Sequence, residues 1–181
     1  PDADPNRGRR KRMMPERQKD EATAKEDRAH EAFSEEFVAH RANKLRRFAV
    51  SLATLSTNGT ERESLVADGA VRALVTLSRE EDPITKISCA MALRNLADDS
   101  RLRRAMLDTG AAGAIVSLTS APDAGIQNHC AVSLVNLSSV VGSEATIVQA
   151  SAVPALLAMA SVSMHAMETI LLTLCNLSCV E

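Results

Sequence analysis

His129 immediately precedes Cys130, the one place in the 181-residue chain where a base and a thiol adjoin. A base activates a nucleophile only if the two side chains face each other. Neighbours on a helix point about 100° apart, so His129 cannot take the Cys130 proton directly. Cys175 and Cys179, four residues apart, share a helix face but have no third or fourth metal ligand nearby. With Cys89 and Cys130 they lie in apolar helical runs without C-x-x-C spacing, and they read as structural thiols in a reducing, cytoplasmic setting. No Gly-rich phosphate loop, nucleophile elbow or His-Glu-x-x-His pattern occurs. The expectation is therefore a protein that is not an enzyme, with no cofactor, metal or small-molecule substrate.

Charge offers a different chemistry, attraction to a surface. Through Arg47 the chain holds 13 Lys/Arg against 10 Asp/Glu, and from Phe48 onward 8 against 13. The basic excess is concentrated in Arg7, Arg9, Arg10, Lys11 and Arg12. Such a run serves as a nuclear-import signal, a phosphate-backbone contact, an anchor on an acidic protein surface such as a tubulin tail, or only a solvated tail. No Lys or Arg follows Arg104, so a nucleic-acid groove is not expected in the last 77 residues. Two uncharged stretches, Ala124 to Ser143 and Ala145 to Met167, are long enough to cross a bilayer. Both are interrupted by polar residues, Gly or Pro154, and both fall into a repeat that explains their apolar character, so no membrane span is expected.

The elements that position these residues emerge when the chain is slid along itself. Cys89-Ala-Met-Ala-Leu-Arg-Asn95-Leu-Ala97 recurs as Cys130-Ala-Val-Ser-Leu-Val-Asn136-Leu-Ser138 and as Ile170-Leu-Leu-Thr-Leu-Cys-Asn176-Leu-Ser178, at offsets of 41 and 40. Phe48 to Ser56 keeps the apolar positions one period earlier, with Thr54 in place of the asparagine. A second landmark is in phase with it: Gly69-Ala70, Gly110-Ala111 and Ser151-Ala152. With 45% apolar residues but only 2% aromatics, the core must be Ala, Leu, Val, Met and Cys, which suits close-packed helices. A purely helical unit of about 40 residues predicts an α-solenoid. Within one unit the sequence predicts a short helix from Arg62 to Asp68 stopped by Gly69, and a second helix from Val71 to Ser78. A third, from Pro83 to Asp98, is capped by Asp82 and has Ile87, Ala90, Leu93 and Leu96 as its core stripe. Ala121-Pro122-Asp123 repeats the turn.

These residues resemble the armadillo repeat family, whose third helix typically reads Cys/Ala-Ala-x-Ala-Leu-x-Asn-Leu and whose second follows Gly-Ala-Ile/Val-Pro. The resemblance runs from about Phe48 to Ser178, 131 of the 181 residues. It implies an all-α, right-handed armadillo α-solenoid with an N-terminal charged helical arm, in which third helices line a protein-binding groove. It also implies that Asn95, Asn136 and Asn176 form a ladder that holds the amides of an extended peptide. One turn back along the helices lie Met91, Val132 and Leu172, and two turns back Ser88, His129 and Thr169. Importin-α-like members place tryptophans one turn before the asparagines, and this chain has no Trp. β-Catenin-like grooves use rows of Lys and Arg, for which only Lys86 and Arg94 are available. A mildly apolar, weakly acidic groove remains, favouring an apolar or basic segment.

The expected organisation is a basic tail over 1–15, a charged helical arm over 16–47 and repeats over 48–181, comprising a partial repeat 48–57 and repeats of about 58–98, 99–139 and 140–181. Phe33, Phe37, Leu45, Phe48 and Leu52 are expected to form a seam along the arm and into the first repeat. The apolar side of the last third helix is uncovered at its end, so further units or a partner are expected. The function these readings imply is a scaffold or adaptor holding protein segments in a larger assembly, such as a cytoskeletal or flagellar axonemal complex. The alternative is a divergent nuclear-import carrier, with a nuclear address.

Overall fold

The computed structural model describes residues 16–162 and 167–178, with side chains described from residue 31 onward apart from 161 and 162. The described residues form helices and turns without a strand: an all-α solenoid. The chain divides into two compact units, Pro1–Arg41 and Ala42–Glu181. Helix α1 (Glu16–Ser56) is 41 residues long. In the first unit, its residues from 31 to 41 are exposed, Phe33, Phe37 and Val38 among them. The expected seam is thus not a buried one at Phe33 and Phe37.

In the second unit the last turns of α1 precede three helix triplets, each short, medium, long. They are α2 (Arg62–Ala67), α3 (Ala70–Leu77) and α4 (Pro83–Asp98); α5 (Arg103–Asp108), α6 (Ala111–Leu118) and α7 (Ala124–Ser138); α8 (Glu144–Gln149), α9 (Ala152–Val162) and α10 (Met167–Ser178). Third helices pack in series, α4 on α7 on α10, and second helices likewise, α3 on α6 on α9. Between these rows Leu74, Leu93, Leu96, Ile115, Leu134, Leu137, Leu156 and Ile170 are fully buried. Leu174, one period on from Leu134, is half-buried against the same core. Ile87 is only half-buried but packs against this core, while Thr85, Ser88 and Cys89 beside it are buried. Phe48, at the repeat position of buried Cys89 and Cys130, is 49% exposed.

Two local devices repeat. At the corner between first and second helices, Gly69 and Gly110 have φ of 88° and 87°, the left-handed region that side chains resist. Their amides bond back to Val66 and Leu107 carbonyls, both at 3.0 Å, ending the first helix. Ser151 takes the same corner at φ 63° and bonds to Val148 O at 2.9 Å. At the start of the third helix, Asp82 accepts from Thr85 N and Asp123 from Ile126 N, each at 2.8 Å. Arg46 grips Asp82 through Nε and Nη2, tying α1 to the turn before α4.

Candidate functional site: the third-helix face

Helical spacing turns one stripe of each third helix outward. On α4 it comprises Ile84, Ile87, Met91, Arg94, Asn95 and Asp98, all exposed or half-buried. One period on, α7 presents Asn128, Val132, Val135 and Asn136, and α10 presents Glu168, Leu172, Cys175 and Asn176. The position one turn before the asparagines forms an apolar column: Val50 is 42% exposed, Met91 38% and Leu172 52%, with Val132 half-buried between them. His129 and Thr169 are half-buried. Ser88, expected beside them, is 6% exposed, and its hydroxyl donates to Ile84 O at 2.7 Å on its own helix. It contributes little to the face.

Each asparagine reaches one repeat backward. Asn95 Nδ2 donates to Ser56 Oγ at 3.1 Å, Asn136 Nδ2 to Asp98 Oδ1 at 3.0 Å and Asn176 Nδ2 to Ser138 Oγ at 3.0 Å. A primary amide carries two N–H donors and a carbonyl acceptor, so this bond fixes the side chain's direction while leaving the second N–H for a ligand. Thr54, in the same row, instead turns its hydroxyl onto Val50 O at 2.9 Å.

Arginine clamps hold the ends of the third helices in place, a feature the sequence reading missed. Arg62 Nε donates to Ser56 O at 2.7 Å, and 41 residues on Arg103 Nε donates to Ala97 O at 2.7 Å. Arg103 also reaches Asn136 Oδ1 at 3.3 Å and Ser139 Oγ at 2.8 Å, joining the ends of α4 and α7. The 41-residue offset between the two arginines was the available signal.

At the opposite ends of these helices lies a recess of about 510 Å³, lined mainly by Pro83, Ile84, Ile87, Ala121, Pro122 and Ile126. Gly125 stands one period after Ile84 and brings no side chain there; a Cβ on it would lie 3.1 Å from Asp123 Oδ1 and 3.7 Å from Ile87 Cδ1.

The thiols divide. Cys89 and Cys130 are buried, and desolvation raises each thiol to about 12, the behaviour of inert core residues. Cys175 is exposed, one period after Val135, which corrects its assignment to the interior. His129 is half-buried and approaches Arg94, whose Nη1 is 3.4 Å from His129 Nδ1. Among the described residues no group of three His, Cys, Asp or Glu side chains could hold a metal ion, and no helix is long and apolar enough to cross a membrane. The basic run Arg7, Arg9, Arg10, Lys11 and Arg12, together with Cys179, lies outside the described residues.

No protein-family model matches the chain, and no curated protein does. Solved structures do. A computationally designed armadillo repeat protein for modular peptide recognition matches with a TM-score of 0.67 at 16% identity, over 74% of this chain and 58% of that one. A designed armadillo repeat protein in complex with the peptide (KR)4 matches at 0.64 and 18%, over 74% and 57%. An engineered protein matches at 0.63 and 25%, over 73% and 55%. The chain spans little more than half the length of these proteins, and its fold is the armadillo-like repeat.

Proposed function

We propose that this chain is a non-enzymatic scaffold or adaptor whose third-helix face binds an extended segment of another protein. The observation that carries the reading is the paired rows along α4, α7 and α10: half-exposed asparagines braced in one direction, beside an apolar column at one residue per repeat. Amide groups in a row meet the backbone of an extended ligand, and the column between them meets alternate side chains. The peptide complex of a designed protein with this fold supports the same use. The lack of tryptophan argues against the lysine slots of importin-α-like carriers. The finer form of the proposal joins the scaffold to a cytoskeletal or axonemal complex through Arg7 to Arg12, whose charge suits an acidic surface such as tubulin.

Selection of internal random 12-residue peptides displayed against the full chain tests the groove. Binders should be found, and Val132→Glu, which places a charge in the middle of the apolar column without touching the asparagine bonds, should abolish their binding. Binders indifferent to Val132→Glu, or no binders at all, would refute the groove. Co-sedimentation with microtubules, lost when the five basic residues become Ala, tests the arm.

A further inference from the structure

One cation on the third-helix face has hydrogen-bonding capacity that the described residues do not meet. Arg94 is half-buried, its Nε is shielded from solvent, and among the described residues that nitrogen has no hydrogen-bond partner. Five other arginines of the second unit are provided for: Arg46 by Asp82, Arg62 by Ser56 O, Arg101 by Asp99, Arg103 by Ala97 O, Asn136 and Ser139, and Arg104 by Val141 O; Arg47, Arg72 and Arg79 are exposed. Arg94 forms no ion pair among the described residues. Asp98, one turn further along α4, already accepts from Asn136 Nδ2. The sole described contact of the Arg94 fork is the 3.4 Å approach of Nη1 to His129 Nδ1. Burial, then the Arg94 charge, holds that imidazole below its ordinary pKa, opposed by Asp123. A neutral imidazole facing a guanidinium with its acceptor nitrogen keeps the other nitrogen as a donor.

A shielded guanidinium N–H without an acceptor destabilises the unliganded chain, and functional sites are where such deficits are retained. The 3.4 Å contact is long and a weak restraint, so a turn of the side chain presents the Nε and Nη2 edge outward. That is the edge with which Arg46 takes both oxygens of Asp82. We propose that Arg94 of α4 and His129 of α7 form a carboxylate-binding subsite between these two third helices of the groove, filled by an Asp or Glu side chain of the bound segment. The inference rests on the groove reading above and sharpens it: the segment is apolar along most of its length, with one acidic residue fixed beside Asn95 and Asn136.

The peptides selected on the full chain supply the probe. They should share an Asp or Glu at one position, and changing it to Asn or Gln should weaken binding to the parent chain about tenfold or more, the scale of a charge-assisted hydrogen bond. The same change should matter less than twofold to Arg94→Gln, so that the double-mutant cycle closes on this pair. Arg94→Glu should recover affinity for a peptide with Lys at that position. Arg94→Gln should melt no lower than the parent, since Nε loses no partner; Arg94→Lys, which keeps the charge but not the fork, should lose part of the affinity. Peptides that need the groove, as judged by Val132→Glu, but share no acidic residue or respond equally in parent and Arg94→Gln would overturn the subsite alone. Binding that survives Val132→Glu would overturn the groove and the subsite with it.

Discussion

Two glycines three residues apart should respond in opposite directions to the same substitution. Gly110 sits at the corner before α6 with φ of 87°, and Gly113 lies exposed within α6; a Cβ built on either meets nothing within 4 Å. Clash is therefore removed from the comparison and only backbone preference remains. At Gly110, alanine meets the left-handed penalty of about 1–2 kcal/mol, offset in part by the ~0.4–1 kcal/mol lost from unfolded-chain entropy. The net cost is about 1 kcal/mol. At Gly113, alanine gains about 0.8–1 kcal/mol of helix propensity. Ser151 completes the test, because it already occupies the third such corner at φ 63°, and Ser151→Gly should stabilise by about 0.5–1 kcal/mol. Urea titration followed by circular dichroism resolves these differences, and a change of 1 kcal/mol moves the thermal midpoint by roughly 2–4 °C at this size. If Gly110→Ala were neutral, or if both alanine variants shifted in the same direction, the corner would not be what ends each first helix, and the explanation of the Gly-Ala landmark would fail.

Removing the clamp by Arg103→Met should cost about 1–3 kcal/mol, because the Ala97 carbonyl and the Asn136 amide lose a charged donor together; denaturant midpoints read this directly. Asp82 is held at about 2 rather than 3.8, chiefly by the Arg46 hydrogen bonds, and Asp99 is held at about 2 chiefly by Arg101. Between those values the unfolded chain binds more protons, so stability should fall as pH drops from about 4 to 2. Asp82→Asn, which keeps a capping oxygen but no charge, should make that fall shallower in acid titrations of the fold. Native alkylation with iodoacetamide, mapped by mass spectrometry, should modify Cys175 and spare Cys89 and Cys130 until the chain is unfolded.

Backbone instructions were the most legible part of the sequence. Gly69-Ala70 and Asp82-Pro83 each fix a conformation within a few residues, and the helix bounds they predict agree with the structure to within one residue. What depends on a neighbour was harder to read. Ser88 lies at the boundary between the buried and outward stripes of α4, where packing decides its side, and a small hydroxyl that can bond its own helix was drawn inward. Cys175 looked like core by composition, yet its repeat position is that of Arg94, and the arginine was the indication that this position turns outward. Phe33 and Phe37 have helical spacing, but spacing identifies a face without supplying anything to cover it. The arginine clamps were hidden for a similar reason: their acceptors are main-chain carbonyls, which leave no trace in residue type.

The backward reach of each asparagine has a consequence for how such a chain changes length. Every one of these ties ends on the block just before it, at Ser56, Asp98 or Ser138, and none skips a block. Inserting a further copy of one period would therefore leave existing ties intact and add one of its own. Helices in contact lie about 8–10 Å apart, and an extended chain advances about 3.3 Å per residue, so each added block would lengthen the proposed binding face by the span of roughly three ligand residues. On the groove proposed above, duplication of a stretch of coding sequence thus becomes a change in the length of the recognised word, with its spelling left to the few side chains, Arg94 among them, that differ from one block to the next.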